Sequence, residues 1–321
     1  MSSRKSFRRA PLSQVARYSI RKRLNRASIA AFARPAPRIA TASRFLESLP
    51  RFLKADDFRD FLGAVHTARR RGRPFHLLLG AHTIKVGLAP LIIDLMQREI
   101  VTGLSFTGAG LIHDLELAFF GGTSEDVEAG LQDGSFGMVE ETALLYVAAA
   151  ELAAQDDLGL GEAAGRLIME CRAPHRRISL FGQAHRFGLP ATVHVGIGTD
   201  IVNQHPEFDA AAVGRASHVD FQILAAVCGA LDRGGVAANI GSAVLLPEVF
   251  LKALTVARNL RKGRSRLTTA NFDMIEHYRP RVNVVTRPTV GAGRGFNFIG
   301  HHEIMVPLLA WGLRDKFDPR N

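Results

Sequence analysis

Val101-Thr102-Gly103-Leu104-Ser105-Phe106-Thr107-Gly108-Ala109-Gly110-Leu111-Ile112-His113-Asp114 passes from an apolar run through a glycine turn into a helical pattern. Val101 to Phe106 has the length of a buried strand, and Leu111 to Phe120 carries apolar residues at helical spacing. Strand, tight turn and helix in that order form the repeating unit of an α/β fold with a parallel sheet.

The same unit recurs on both sides of this stretch. Phe75 to Leu79, bounded by Pro74 and Gly80, reads as a strand, and Val86 to Glu99 as the helix after it. Residues 138–154 predict a helix, Ala191 to Ile197 a strand, and Phe208 to Arg233 a long helix. Val236 to Ile240 is a strand followed by a helix over Pro247 to Asn259. Arg266 to Asp273 and Val282 to Thr286 read as further strands, Gly291 to Gly295 as a loop, and Ile304 to Arg314 as the closing helix. Upstream, Ser43 to Leu53 and Asp57 to Arg70 have helical spacing, with Phe58, Phe61, Leu62 and Val65 on one face. Apolar strands alternating with longer helices predict a doubly wound, mostly parallel sheet with helices on both faces. No linker divides the body, so residues 43–321 are expected to form one domain.

Charge separates that body from the first 42 residues. Of 41 Lys and Arg residues, 12 lie between Met1 and Phe45, where there is no acid; the remaining 29 face 30 acidic side chains. A basic arm on a neutral body predicts a solvated extension rather than a specific nucleic-acid surface. A targeting peptide and an oligomer contact through Leu24, Ile29, Phe32 and Phe45 are the other readings of the arm. No apolar stretch is long enough to span a bilayer, and Cys171 and Cys228 read as buried thiols of a reducing, cytoplasmic compartment.

Four strand-to-helix turns carry small or polar residues: Gly80-Ala81-His82-Thr83-Ile84-Lys85, Thr107-Gly108-Ala109-Gly110, Gly196-Ile197-Gly198-Thr199-Asp200, and Gly241-Ser242-Ala243. Glycines at such turns either merely end strands or let a phosphate approach backbone amides at a helix N-terminus. The second turn supplies only part of a dinucleotide fingerprint, and no ribose-binding acid follows at the usual distance. Four such turns on one edge predict a polar cleft, with His113 on the first helical turn facing it. A metal set of His113, Asp200, His205 and His301 is an alternative, although neither His-Glu-x-x-His nor Cys-x-x-Cys occurs.

At these turns the sequence resembles the deoxyhypusine synthase family and its bacterial deoxyhypusine synthase-like relatives, from about Phe75 through Leu309. The resemblance is carried by Val101 to Leu115, by Thr199-Asp200, by Gly241-Ser242-Ala243-Val244 and by Val306-Pro307-Leu308-Leu309. It implies a Rossmann-like fold, NAD at the strand ends, and homotetramers with active sites at subunit interfaces. It also implies oxidation of a polyamine to an imine and transfer of an aminoalkyl group through a lysine to an acceptor amine. The cofactor contacts it suggests are Thr83, Thr107, Gly108, Ala109, Gly110, Gly241, Ser242, Thr286 and His301. His113, Asp200, Glu248 and Lys85 are the expected catalytic groups, with His205 and Glu248 at places where the family meets the polyamine. One departure is plain: the family's Trp-Gly-Lys is missing, since residues 294–300 contain neither Trp nor Lys. Arginine cannot replace that lysine, because Schiff-base chemistry needs a neutral amine. Lys85 and Lys252 are the body lysines nearest the expected site, and Lys85 is the one on a cleft turn. The function expected is therefore NAD-dependent amine oxidation; the alternatives are a non-catalytic nucleotide- or partner-binding relative and a metal-dependent hydrolase.

Overall fold

The computed structural model describes residues 41–260 and 266–318. Expectations for the basic arm up to residue 40 lie outside the described residues. Helices α1 (Ala42–Ser48) and α2 (Leu53–Arg70) precede the first strand, β1 (Phe75–Leu79). Then come α3 (His82–Lys85), α4 (Ala89–Gln97), β2 (Gly103–Thr107), α5 (Gly108–Phe120), α6 (Val127–Asp133), α7 (Glu140–Asp156), α8 (Leu160–Glu170), α9 (Leu180–Phe187) and β3 (Ala191–His194). The second half adds α10 (Ala210–Leu231), β4 (Val236–Ile240), α11 (Leu245–Leu260), β5 (Thr268–Asp273), β6 (Arg294–Ile299) and α12 (His302–Lys316).

All six strands are parallel, in the order β3-β2-β1-β4-β5-β6. This is the Rossmann-like, doubly wound order, and its topological switch point lies between β1 and β4. Each strand alternates its two faces between separate apolar clusters. Leu77, Leu79, Leu104, Phe106, Ile240 and Phe272 join a large cluster with α2, α4, α5 and α12, whereas Leu78 and Ala237 face α10 and α11. The ring of Phe61, fully buried on α2, lies 5.6 to 6.2 Å from Phe75, Phe272, Phe296 and Phe298 and pins that helix across three strands.

Two expectations are corrected. Val282 to Thr286 is not a strand: it belongs to a π-helix, Pro280–Thr286. Its β-branched residues imitate a strand run, but Pro280 starts a helical turn and the Val284 carbonyl accepts from Thr269 of β5 at 2.7 Å, docking the turn on the sheet. The sixth strand is Arg294–Ile299, where a loop was expected to run through Gly295; Phe296 and Phe298 point to the core and Asn297 pairs with Asn271. Cys171 is also exposed, because α8 ends at Glu170, while Cys228 is buried. Among the described residues no helix is long and apolar enough to cross a membrane.

Candidate functional site

Because every strand runs the same way, the turns after β1, β2, β3 and β4 gather on one rim. At the switch point the backbones touch: a Cβ on Gly80 would stand 2.0 Å from the Gly241 carbonyl oxygen. Thr83 is fully buried and donates to the Gly80 carbonyl at 2.8 Å, so its hydroxyl closes the turn it sits on.

Helix α5 begins at Gly108, earlier than the sequence suggests, which puts His113 in its second turn. His113 and Asp114 then diverge, as neighbours on a helix must. Asp114 is fully buried and accepts from Ser179 Oγ at 2.6 Å and the Leu180 amide at 2.8 Å, capping α9. His113 instead lines a cavity of about 200 Å³ together with Lys85, Glu116, Glu125, Thr199 and Asp200. Three carboxylates, one imidazole and one ammonium thus share a small chamber on the rim. Lys85 makes no ion pair among the described residues.

Asp200 closes the N-terminus of α5. Its carboxylate lies beside the Ala109 amide, and a Cβ on Gly108 would meet its Oδ2 at 2.0 Å, so glycine is required there. Burial raises the Asp200 carboxyl to about 6, against the pull of that amide. The Thr107–Gly110 turn therefore holds the chain's own anion at the place where a phosphate would sit. Gly110 serves packing, since a Cβ would reach the Phe106 ring at 2.9 Å.

Glu116 lies one turn beyond His113 on the same helix. It accepts from Thr142 Oγ1 at 2.8 Å and from the Thr123 hydroxyl, and Thr123 Oγ1 is 2.6 Å from His113 Nδ1. Burial alone would raise the Glu116 carboxyl, yet His113, Thr123 and Thr142 together hold it below its ordinary value. Glu116, Thr123 and Glu125 were missed by sequence reasoning; the spacing of Glu116 three residues after His113 was the available signal. His205 sits behind the cavity, with Nε2 2.8 Å from the carbonyl of Gly137, whose amide donates to Glu125 at 3.0 Å.

The other half of the rim differs. Ser242 is buried; its Oγ accepts from the Leu246 amide at 3.3 Å and caps α11. Among the described residues no protein group accepts from the amides of Ser242, Ala243 or Val244. Nearby, Asn239 Oδ1, Asp273 Oδ2 and both ring nitrogens of His302 are buried without a well-formed hydrogen bond. His302 Nε2 lies 3.8 Å from Asp273, and its ring lies 5.4 Å from that of His82. Burial lowers the His302 pKa although Asp273 opposes it.

Three expected residues stand apart from the cavity. Glu248, on the first turn of α11, is paired with Lys252, with Arg279 at 3.2 Å and with Asn283 at 2.8 Å. Those partners neutralise it and tie α11 to the π-helix. Thr286 is exposed at the end of that π-helix, on the way back toward the start of β6, and donates to the Arg281 carbonyl. His301 is 66% exposed ahead of α12, 3.7 Å from Glu303. The four-residue metal set accordingly does not assemble: among the described residues no group of three or more His, Cys, Asp or Glu is arranged to hold an ion.

No protein-family model and no curated protein sequence matches this chain. Solved structures do share its fold. AgrE in ternary complex with ornithine and NAD+ aligns with a TM-score of 0.51 at 13% identity, over 82% of this chain and 33% of that one. This chain thus spans about a third of AgrE. A conserved putative LOR/SDH protein from Methanococcus maripaludis S2 aligns with a TM-score of 0.50 at 12% identity, over 82% of this chain and 70% of that one. A putative deoxyhypusine synthase from Entamoeba histolytica covers 85% of this chain and 92% of its own at 8% identity, with a TM-score of 0.47. At these identities the likeness is one of fold.

Proposed function

We propose that this chain is a deoxyhypusine synthase-like, NAD-dependent enzyme that oxidises a polyamine or a similar amine to an imine. The observation that carries the reading is the rim cavity in which Asp200, Glu116 and Glu125 surround His113 and Lys85. Carboxylates in a partly desolvated chamber suit a cationic amine, and the imidazole suits the proton that such an amine must lose. AgrE, a third of which aligns with this chain, forms a ternary complex with ornithine and NAD+.

Of the two long helices that start at the rim, α11 fits a dinucleotide better than α5. Among the described residues its amides at Ser242, Ala243 and Val244 meet no protein acceptor, they flank the switch point, and buried polar atoms of Asn239, Asp273 and His302 without a well-formed hydrogen bond lie nearby. The Ser242–Val244 backbone would hold the diphosphate, with Gly80 and Gly241 allowing close approach. NAD, when bound, supplies a two-electron hydride acceptor. The chain's own groups do the rest: the carboxylates orient the ammonium and His113 removes its proton. The neutral amine so formed carries the nitrogen lone pair that C=N formation requires. Lys85, which makes no ion pair among the described residues, is the cavity's lysine; its amine, once deprotonated, would add to the imine carbon and expel the imine's original nitrogen with the rest of the polyamine as the leaving amine.

Protein incubated with NAD and a panel of di- and polyamines should yield absorbance of the reduced nicotinamide and a new amine or aldehyde product. Silence across the panel, with NAD bound, would favour a second reading motivated by the missing Trp-Gly-Lys: a relative that binds the nucleotide without turning over. The homotetramer implied by the resemblance and the cytoplasmic location expected from cysteine usage belong to the same proposal, and native mass spectrometry and cell fractionation test them.

A further inference from the structure

We infer that Thr123 and Glu116 are positioning residues that fix His113 as the Nδ1–H tautomer, leaving Nε2 as the proton acceptor for a ligand in the cavity. The argument is a count of protons. A threonine hydroxyl has one hydrogen to donate and two lone pairs. Glu116 Oε2 accepts that hydrogen from Thr123, while Oε1 takes a second hydrogen bond from Thr142 at 2.8 Å. An ionised carboxylate accepts from both hydroxyls and has no hydrogen of its own to give Thr123, and that is the form its surroundings favour. With its only hydrogen committed to Glu116, Thr123 Oγ1 can meet His113 Nδ1, 2.6 Å away, only as an acceptor. Nδ1 therefore carries the hydrogen.

Glu116 does not engage the ring directly, since 3.7 Å separates its Oε2 from Nδ1; the hydroxyl transmits the polarity of the carboxylate to the imidazole. Nε2 has no hydrogen-bond partner among the described residues, and His113 lines the cavity that Lys85 and Asp200 also line. In free histidine the neutral ring prefers its hydrogen on Nε2, so this relay reverses the ordinary preference and points the lone pair at the chamber. The step it serves is balanced: an ammonium R–NH3+ gives one proton to Nε2, producing R–NH2 and an imidazolium whose two N–H groups face the ligand and Thr123. The tautomer stands on geometry alone, whereas its use on an amine rests on the function proposed above.

The test separates the two. Long-range proton–nitrogen correlation on 15N-labelled full-length protein, without NAD or amine, reads the tautomer of His113, assigned by the signal lost in His113→Gln. The expected pattern at a pH where the ring is neutral is a protonated Nδ1 and a bare Nε2. Thr123→Val should shift the ring toward the Nε2–H form, and Thr123→Ser should keep the wild-type pattern. A wild-type ring protonated on Nε2, or a pattern unmoved by Thr123→Val, overturns the inference whether or not any amine is oxidised. With an amine that is turned over, Thr123→Val should lower kcat about 10-fold or more at nearly unchanged KM, with Thr123→Ser restoring most of it. An unchanged kcat in a Thr123→Val protein whose tautomer has switched would overturn the catalytic use.

Discussion

Two long helices, α5 and α11, begin on the same rim of the sheet, and their first turns are served differently. At α5 a carboxylate from the turn after β3 lies on the Ala109 amide, so close that residue 108 has no room for a side chain. At α11 the side-chain cap is the Ser242 hydroxyl, and the amides of residues 242–244 lack protein acceptors. A helix N-terminus attracts one anion. Where the chain has supplied its own, the neighbouring chamber is left acidic and suited to a cation; where it has not, the turn remains suited to an anion. Under the proposed function the rim is divided between an amine end and a nucleotide end.

The largest expected effect comes from closing the boundary between these ends. Gly80→Ala would drive a methyl into the Gly241 carbonyl and force β1 and β4 apart. It should cost about 3 kcal/mol of stability and abolish NAD binding, read by thermal melting and calorimetric titration. His113→Gln breaks the amine end only: kcat for amine oxidation should fall about 100-fold, with NAD affinity and melting temperature nearly unchanged. Ala243→Asp converts α11 into a copy of α5 by giving it an internal anion. NAD should then bind about 10-fold more weakly, a loss of about 1.4 kcal/mol, while the melting temperature holds or rises. The smallest effect is on the pH dependence of stability. Asp200 has a folded value of about 6 against about 3.9 unfolded, so between these the folded chain holds a proton that the unfolded chain lacks. Its contribution is fully present below about pH 4 and is lost as the pH rises through 6. The melting temperature of wild type relative to Asp200→Asn should decline over that window and level off above it.

The fold was largely legible because buried parallel strands are short apolar runs closed by turn residues, and Phe75–Leu79 and Val236–Ile240 were bounded correctly to the residue. Misreadings occurred where one signal imitated another. Val282 to Thr286 has strand composition but follows Pro280 into a π-helix, and the glycines before Phe296 hid an alternation of Phe296, Asn297 and Phe298 that marks an edge strand. Helices α8 and α9 went unread although each has an apolar side, built on Leu160, Ala163, Ala164 and Ile168 in one and on Leu180, Phe181 and Ala184 in the other. At the site, Lys85, His113 and Asp200 were named from their turns, and the structure brings them to one cavity. What the sequence could not convey was direction: that Asp200 folds back onto α5, or that Glu248 is absorbed by Lys252 and Arg279. Thr123 and Glu116 acquire meaning only through a hydroxyl placed between an imidazole and a carboxylate, a relation set by tertiary packing.

The most direct test of the divided rim is a crystal structure of the protein with NAD. The account predicts the diphosphate on the amides of Ser242, Ala243 and Val244, with Asp200 still seated on α5 and the nicotinamide end turned toward His113. A diphosphate on Thr107–Gly110 with Asp200 displaced, or a crystal that takes up no NAD at saturating concentration, would contradict it.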